Sequence, residues 1–312
     1  MRKIKVLVVG GAFMELSMNM YKVPSAGETV TDDGGVAYVP GGSAVISSAA
    51  LSRLGADTHI VSRLGRDLHG QKLYQYFREL GVGTGAVKVD AEKPTGLSVI
   101  IKEADMKERR VVYPGAAGEL SSDDIGDGLK AAPDAVYLNL DLPEELINFT
   151  VSSATVKGVP VFVNAGGARD GFNYETLPFV EVFSTNVEKT EKTVGIRPIG
   201  ADSSLRAALA LYKKVRCRYL VIRQGERGAF IYDGKHYFMI PPINAGKPAG
   251  GACAGDAFFA GVVIRYLLGA GDIKSAVQYG SVVGALAVTR RGGISSLPTE
   301  ADVTSFLEKY TG

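Results

Sequence analysis

Small residues crowd the stretch Gly250-Gly251-Ala252-Cys253-Ala254-Gly255, and an acid follows at once, in Asp256-Ala257-Phe258-Phe259-Ala260-Gly261. Without bulky side chains, several backbone N–H groups can converge on one point, and a helix starting there adds the positive end of its dipole. Such a point holds an anion. Asp256 at its lip is placed to take a proton from a hydroxyl while the amides hold charge on a transferring phosphoryl group. The same residue type is equally suited to a plain helix N-cap. The two cysteines, Cys217 and Cys253, make neither a disulfide framework nor a zinc pattern, which fits a reducing cytosol. A thiol enzyme using Cys253 is the weakest reading, because none of His59, His69 and His236 lies in a stretch resembling a triad partner.

A loop of this kind needs a scaffold that presents it. Short apolar runs at 4–9, 59–62, 135–140, 159–164, 180–184 and 219–222 alternate with helix-length segments at 42–54, 68–80, 144–156, 256–268 and 273–288. That rhythm predicts an α/β fold: a three-layer αβα sandwich around a mostly parallel sheet. Two segments break it. Residues 27–39 and 95–113 alternate like exposed antiparallel strands, with charges gathered at 102–110 as in a hairpin turn, and they predict a small β-sheet lid built from about 12–39 and 95–113. No repeat or linker divides the chain, so residues 1–312 are expected to form a single domain.

Composition narrows the partners. Lys+Arg 35 against Asp+Glu 33 gives a net charge of +2, which supplies no broad footprint for nucleic acid or an anionic membrane. No apolar run approaches the ~20 residues that span a bilayer, and the apolar run after Lys5 is too short for a signal-peptide core. A cytoplasmic protein with a small-molecule partner is expected.

The glycine-rich stretch resembles the second signature of the pfkB carbohydrate kinases, D-T-x-G-A-G-D-x-F-x-x-G, with Ala254-Gly255-Asp256, Phe258 and Gly261 matching. The first signature is similar to Pro40-Gly41-Gly42-Ser43, Leu54-Gly55-Ala56, Leu64-Gly65-Arg66-Asp67 and Gly70. Gly27-Glu28-Thr29-Val30, Pro94-Thr95-Gly96, Asn164-Ala165-Gly166-Gly167-Ala168-Arg169 and Val288-Thr289-Arg290-Arg291-Gly292 look like further family segments, in the family's order. The resemblance implies a ribokinase-like fold and transfer of a phosphoryl group from ATP, with Mg2+, to a hydroxymethyl group of a sugar or nucleoside. It makes Asp256 the base, and Cys253, Ala254 and Gly255 the anion-hole amides. It places Gly41, Gly42 and Ser43 beside the sugar, Glu15 and Asp141 as acids near its hydroxyls, and Phe13 and Ile46 in the same pocket. Asn186 falls on the family's N-x-x-E motif, four chain positions including Lys189, and Arg223, Gly225 and Gly228 fall on the loop that lines the nucleotide. A homodimer through the lid stays open. The bland readings are a helix cap for Asn186, a helix opening for Gly41-Gly42 and a surface place for Arg223.

The departures sit in the same places. Ile46 stands where the family closes G-G-x-x-x-N with asparagine, and Phe13 where ribokinases have another; neither side chain can hydrogen-bond. Such a pocket suits a less hydroxylated face of substrate or an aromatic base better than free ribose. Gly250 and Lys189 replace acids near the family's monovalent-cation and magnesium sites, so a bound monovalent cation is not expected, the lysine is placed to offset phosphate charge, and no metal ligand is assigned. The rival from another class is a binding or sensor protein that kept the fold and lost catalysis; retention of Asp256 counts against it.

Overall fold

Strand β1 (Lys5–Val9) is apolar at Val6, Leu7, Val8 and Val9 because both of its faces are covered. The computed structural model describes residues 3–103, 108–169, 171–251 and 253–311. From β1 the chain leaves for β2 (Phe13–Met20) and β3 (Val36–Gly41), and returns through α1 (Ser43–Arg53) to β4 (Asp57–Gly65), α2 (Leu68–Glu79) and β5 (Gly83–Asp90). It leaves again for β6 (Thr95–Glu103) and β7 (Glu108–Gly115), then continues through α3 (Ser122–Leu129), β8 (Ala135–Asn139), α4 (Glu144–Val156), β9 (Val161–Asn164) and β10 (Val180–Asn186). The rest is α5 (Val187–Val194), α6 (Ala201–Tyr212), β11 (Cys217–Arg223), β12 (Ala229–Tyr232), β13 (Tyr237–Ile240), α7 (Ala254–Leu268), α8 (Ile273–Val288) and α9 (Glu300–Thr311).

The large sheet has the order β13-β12-β11-β10-β9-β8-β1-β4-β5. Pairing is parallel from β11 to β5 and antiparallel from β11 to β12 and from β12 to β13, at one edge, so β12 runs against the other strands. Successive side chains point to opposite faces, so Val6 and Val8 join one core with α1, α7 and α8 while Leu7 and Val9 join the other with α3, α4 and α6. This is the expected αβα sandwich. The chain builds outward from β1 through β4 to β5, then restarts at β8 and builds the other way. Strand order therefore reverses between β1 and β8, and in open α/β sheets the crevice beyond the carboxyl ends at such a point is where ligands bind.

The smaller sheet has the order β3-β2-β6-β7. β2 pairs antiparallel with β3 and β6 with β7, but β2 and β6 are parallel, because each opens where the chain leaves the large sheet in the same sense. The alternating pattern over 27–39 yields a strand only from Val36. Gly27 and Gly35 have φ of +81° and +100°, and the Asp32 carboxylate accepts from the N–H of Gly34 at 2.7 Å, so turn chemistry takes the first part of that segment. Residues 104–107, within the 102–110 stretch where a turn is expected, lie outside the described residues.

One carboxylate joins the two sheets. Asp67 caps α2 by accepting from the N–H of Gly70 at 2.8 Å, and it also accepts from the N–H and hydroxyl of Thr95, the first residue of β6, at 2.8 and 2.7 Å. The Tyr38 hydroxyl on β3 lies 2.6 Å from Nε2 of His69, and the Lys72 ammonium stands 5.4 Å from the Tyr38 ring centroid. Among the described residues, no helix is long and apolar enough to cross a membrane.

Candidate active site

The strand ends around the reversal supply the side chains. Gly10 and Gly11 follow β1, and Asp141 follows β8. Asn164 ends β9, and Arg223 ends β11. Oδ2 of Asp141 accepts from the Ser43 hydroxyl at 2.5 Å and from the N–H of Gly11 at 3.3 Å, while its Oδ1 is buried with no hydrogen-bond partner among the described residues. Burial raises the Asp141 carboxyl above its ordinary range, against the pull of those two donors. Gly42 opens α1 at φ +90°, and a Cβ there would stand 2.6 Å from the Gly11 carbonyl oxygen, so only glycine lets the lid strand return this close to β1.

Asp256 lies in the first turn of α7, half-buried. Its Oδ1 accepts from Nδ2 of Asn164 at 2.9 Å, and that amide nitrogen also meets the Tyr137 hydroxyl at 3.2 Å. The other end of the Asn164 amide accepts from Arg223 at 3.3 Å, and Arg223 donates its second nitrogen to the Gly255 carbonyl at 2.6 Å. The guanidinium therefore braces both the amide that holds the Asp256 carboxylate and the backbone that turns into the helix. Burial holds the Asp256 carboxyl up at about 6; the Arg223 charge opposes this, and the nearby Asp141 charge adds to it. A carboxylate with an affinity for protons near neutrality is suited to general-base work.

The second sheet covers this crevice with Phe13 and Glu15. Added Cβ atoms at Gly11, Gly42 and Gly96 would approach the Phe13 ring to 2.5, 2.9 and 2.3 Å, so the ring occupies a slot walled by glycines. One at Gly41 would meet Glu15 at 2.8 Å. Phe13, Glu15, Gly41, Gly42, Ser43 and Asp141 are thus brought together, beside Cys253, Ala254, Gly255 and Asp256. Within the 250–256 loop, the N–H of Ala254 is turned onto the Gly251 carbonyl at 3.2 Å, and Ala252 lies outside the described residues. The Gly255 amide belongs to the first helical turn, whose N–H groups have no intrahelical acceptor. Burial pushes the Cys253 thiol up to about 12, which makes it a poor nucleophile.

Among the described residues, none of the remaining ones hydrogen-bonds to Asp256. Ile46 packs against the core on the α1 side. Asn186 caps α5, accepting from the N–H of Lys189 at 2.8 Å, and the Lys189 ammonium donates to the Ala168 carbonyl. Asn186 is nonetheless the register partner of Arg223, so both close the same strand ends. Gly225 and Gly228 form the turn after β11, where a Cβ at Gly228 would stand 2.0 Å from the Ile240 carbonyl and one at Gly225 would meet nothing. Glu188 and Glu191 both pair with Arg197, at 3.9 and 2.5 Å, and no cluster of three acids, histidines or cysteines exists among the described residues.

Asn164 and Tyr137 carry no role in the sequence reading. The available signal is positional: Asn139, Asn164, Asn186 and Arg223 are polar residues that end buried apolar strands, and strand ends in such folds carry function.

A family model described as pfkB family carbohydrate kinase matches residues 3–300. The chain is 25% identical over 311 residues to a ribokinase of Arabidopsis thaliana, covering 97% of this chain and 81% of that protein. It is 26% identical over 307 residues to a ribokinase of Bacillus subtilis, covering 97% and 99%. The solved structure of Arabidopsis thaliana ribokinase complexed with ribose and ATP superposes with a TM-score of 0.87 at 21% identity, covering 98% of this chain and 99% of that one. At that identity, the structural likeness establishes the fold alone.

Proposed function

The chain belongs to the pfkB family of carbohydrate kinases, and on that premise we propose that it moves the γ-phosphoryl group of ATP onto a primary hydroxyl of a sugar or nucleoside, with Asp256 as the base. The observation that carries this is the pair of carboxylates at the strand-order reversal. Asp256 has a carboxyl near neutrality at a helix N-terminus, and Asp141 has a buried oxygen without a partner among the described residues, suited to accept from a sugar hydroxyl.

In the step proposed, the acceptor oxygen forms a bond to the γ-phosphorus, the bond from that phosphorus to the β–γ bridging oxygen breaks, ADP leaves, and the hydroxyl proton goes to Asp256. Catalysis of this kind rests on positioning and charge stabilisation. Arg223 and Asn164 hold Asp256 in place, and Ser43 and Gly11 hold Asp141. The exposed Gly251 leaves room for the triphosphate, since a Cβ there would meet nothing within 4 Å. For Mg2+ the fit is poorer. Lys189 stands where the family has glutamate, and Glu188 and Glu191 are occupied with Arg197, so no residue of this chain is assigned to hold the ion.

The test is ATP-dependent turnover across neutral and anionic sugars and nucleosides, run beside Asp256→Asn. At least one acceptor should be phosphorylated, with turnover at least about a hundredfold lower in the variant. Equal turnover in both proteins removes Asp256 from the mechanism.

A further inference from the structure

Asn164 holds the base, and its amide is fully used. Nδ2 has two N–H groups, one given to Oδ1 of Asp256 at 2.9 Å and one to the Tyr137 hydroxyl at 3.2 Å. Its Oδ1 accepts from Arg223 at 3.3 Å and from the N–H of Gly166 at 3.3 Å. Two donors and two acceptor sites are all that such an amide offers, so four partners fix its orientation. Three of them stand at the ends of elements: Arg223 closes β11, Gly166 follows β9, and Asp256 lies in the first turn of α7. Tyr137 alone belongs to the interior of a strand.

Register puts it within reach. Tyr137 pairs with Phe162, two residues before Asn164, so Tyr137 and Asn164 are diagonal neighbours on the face that α7 covers. The Tyr137 ring packs edge-on against Phe259 of α7 with centroids 5.2 Å apart, and the residue is fully buried. Phenylalanine would fill that space equally well, and a hydroxyl carried into a core costs free energy unless it is bonded. Burial first, and then the Asp256 charge, push the Tyr137 hydroxyl far above its ordinary range, against hydrogen bonds from Ser47 and Asn164. It therefore keeps its proton at any working pH and stays an uncharged partner for the amide while Asp256 gains and loses a proton.

We propose that Tyr137 is a positioning residue for the base: its hydroxyl takes the second N–H of Asn164 and so keeps the first aimed at Asp256. This rests on the kinase reading and adds a residue to the same site. Without the hydroxyl, a buried N–H loses its partner, and the amide is free to turn away from the carboxylate to find another. Asp256 then loses a donor that favours its ionised form, and its carboxylate is no longer fixed on the line to the acceptor hydroxyl.

The experiment removes only the oxygen, with Tyr137→Phe, and closes a double-mutant cycle with Asn164→Ala. Thermal unfolding establishes that each variant is folded. Two readouts are taken on the full chain: kcat and KM by ADP release at about pH 8, where Asp256 is ionised, and the titration of Asp256 by NMR of its carboxyl carbon, assigned with Asp256→Asn. Tyr137→Phe should lower kcat about tenfold, with KM for ATP and for the acceptor within about twofold of the parent. The titration midpoint should rise from about 6, by less than in Asn164→Ala. In the Asn164→Ala background the same change should do nothing further to either readout, because the amide through which Tyr137 acts is gone. An unmoved midpoint, an unchanged kcat in an active protein, or equal effects with and without Asn164 would overturn the assignment and leave Tyr137 a packing residue. A midpoint that moves as described, with no ADP release from any acceptor, overturns the kinase reading instead and leaves the link from Tyr137 through Asn164 to Asp256 standing.

Discussion

Replacing Asp256 by asparagine should make the protein more stable as it makes it inactive. In the fold the carboxyl is held at about 6 by burial, against an ordinary value of 3.8. A group raised in this way adds most to stability below its unfolded value, and that contribution is lost as pH rises through the folded one. Ionised Asp256 at about pH 8 therefore costs the native state roughly 3 kcal/mol, and at about pH 5 roughly half of that. The amide is never charged, and its oxygen can still accept from Asn164. Asp256→Asn should melt about 5 °C above the parent near pH 8, with the gap narrowing towards acid. Thermal unfolding followed at several pH values, with turnover assayed on the same samples, gives both quantities. A variant no more stable near pH 8, or a gap that stays constant with pH, would show that the folded site does not resist the charge. Turnover in the parent should rise with pH through about 6, since the base acts only when ionised.

Asn164→Ala removes a donor that favours the ionised form of Asp256, so the acid limb of the pH–rate profile should move upward by about half a pH unit or more. Gly42→Ala should cost about 2 kcal/mol or more in chemical denaturation, because a Cβ would strain φ +90° and press on the Gly11 carbonyl oxygen at 2.6 Å. Lys189→Glu should increase the dependence of ATP binding on Mg2+, read as ATP affinity with and without the ion, since it exchanges an ammonium for a carboxylate. Adding Gly250→Asp should cost stability, because its Cβ would stand 2.8 Å from the Arg290 carbonyl oxygen.

Legibility in the sequence followed the range of the interactions. The span of α4 is readable because Pro143 starts it and apolar residues recur along it, and α8 because Gly269-Ala270-Gly271 separates it from α7. The strand β5 escapes notice: it is an edge strand with Gly83 and Gly85 in it and Val89 exposed, so no apolar run marks it. The antiparallel pair β12 and β13 escapes because each strand is only four residues long. At the site, the 253–256 loop is contiguous and announces itself. The amide of Asn164 instead reaches residues 59 and 92 positions away, and nothing local in the chain marks Asn164 and Arg223 as partners.

The second sheet is fastened to α2 at two places, on its edge strand β3 and at the start of β6. Asp67 ties its first β6 residue to the start of α2, and Tyr38 on β3 is held from the same helix by His69 and Lys72. A rigid outward swing would have to strip the cap from α2 and break those contacts together. The opposite margin, β7, is an edge that exposes Val111 and Tyr113. Bending there would disturb none of the α2 anchors, so the part of the sheet with most freedom to yield is the edge farthest from β3.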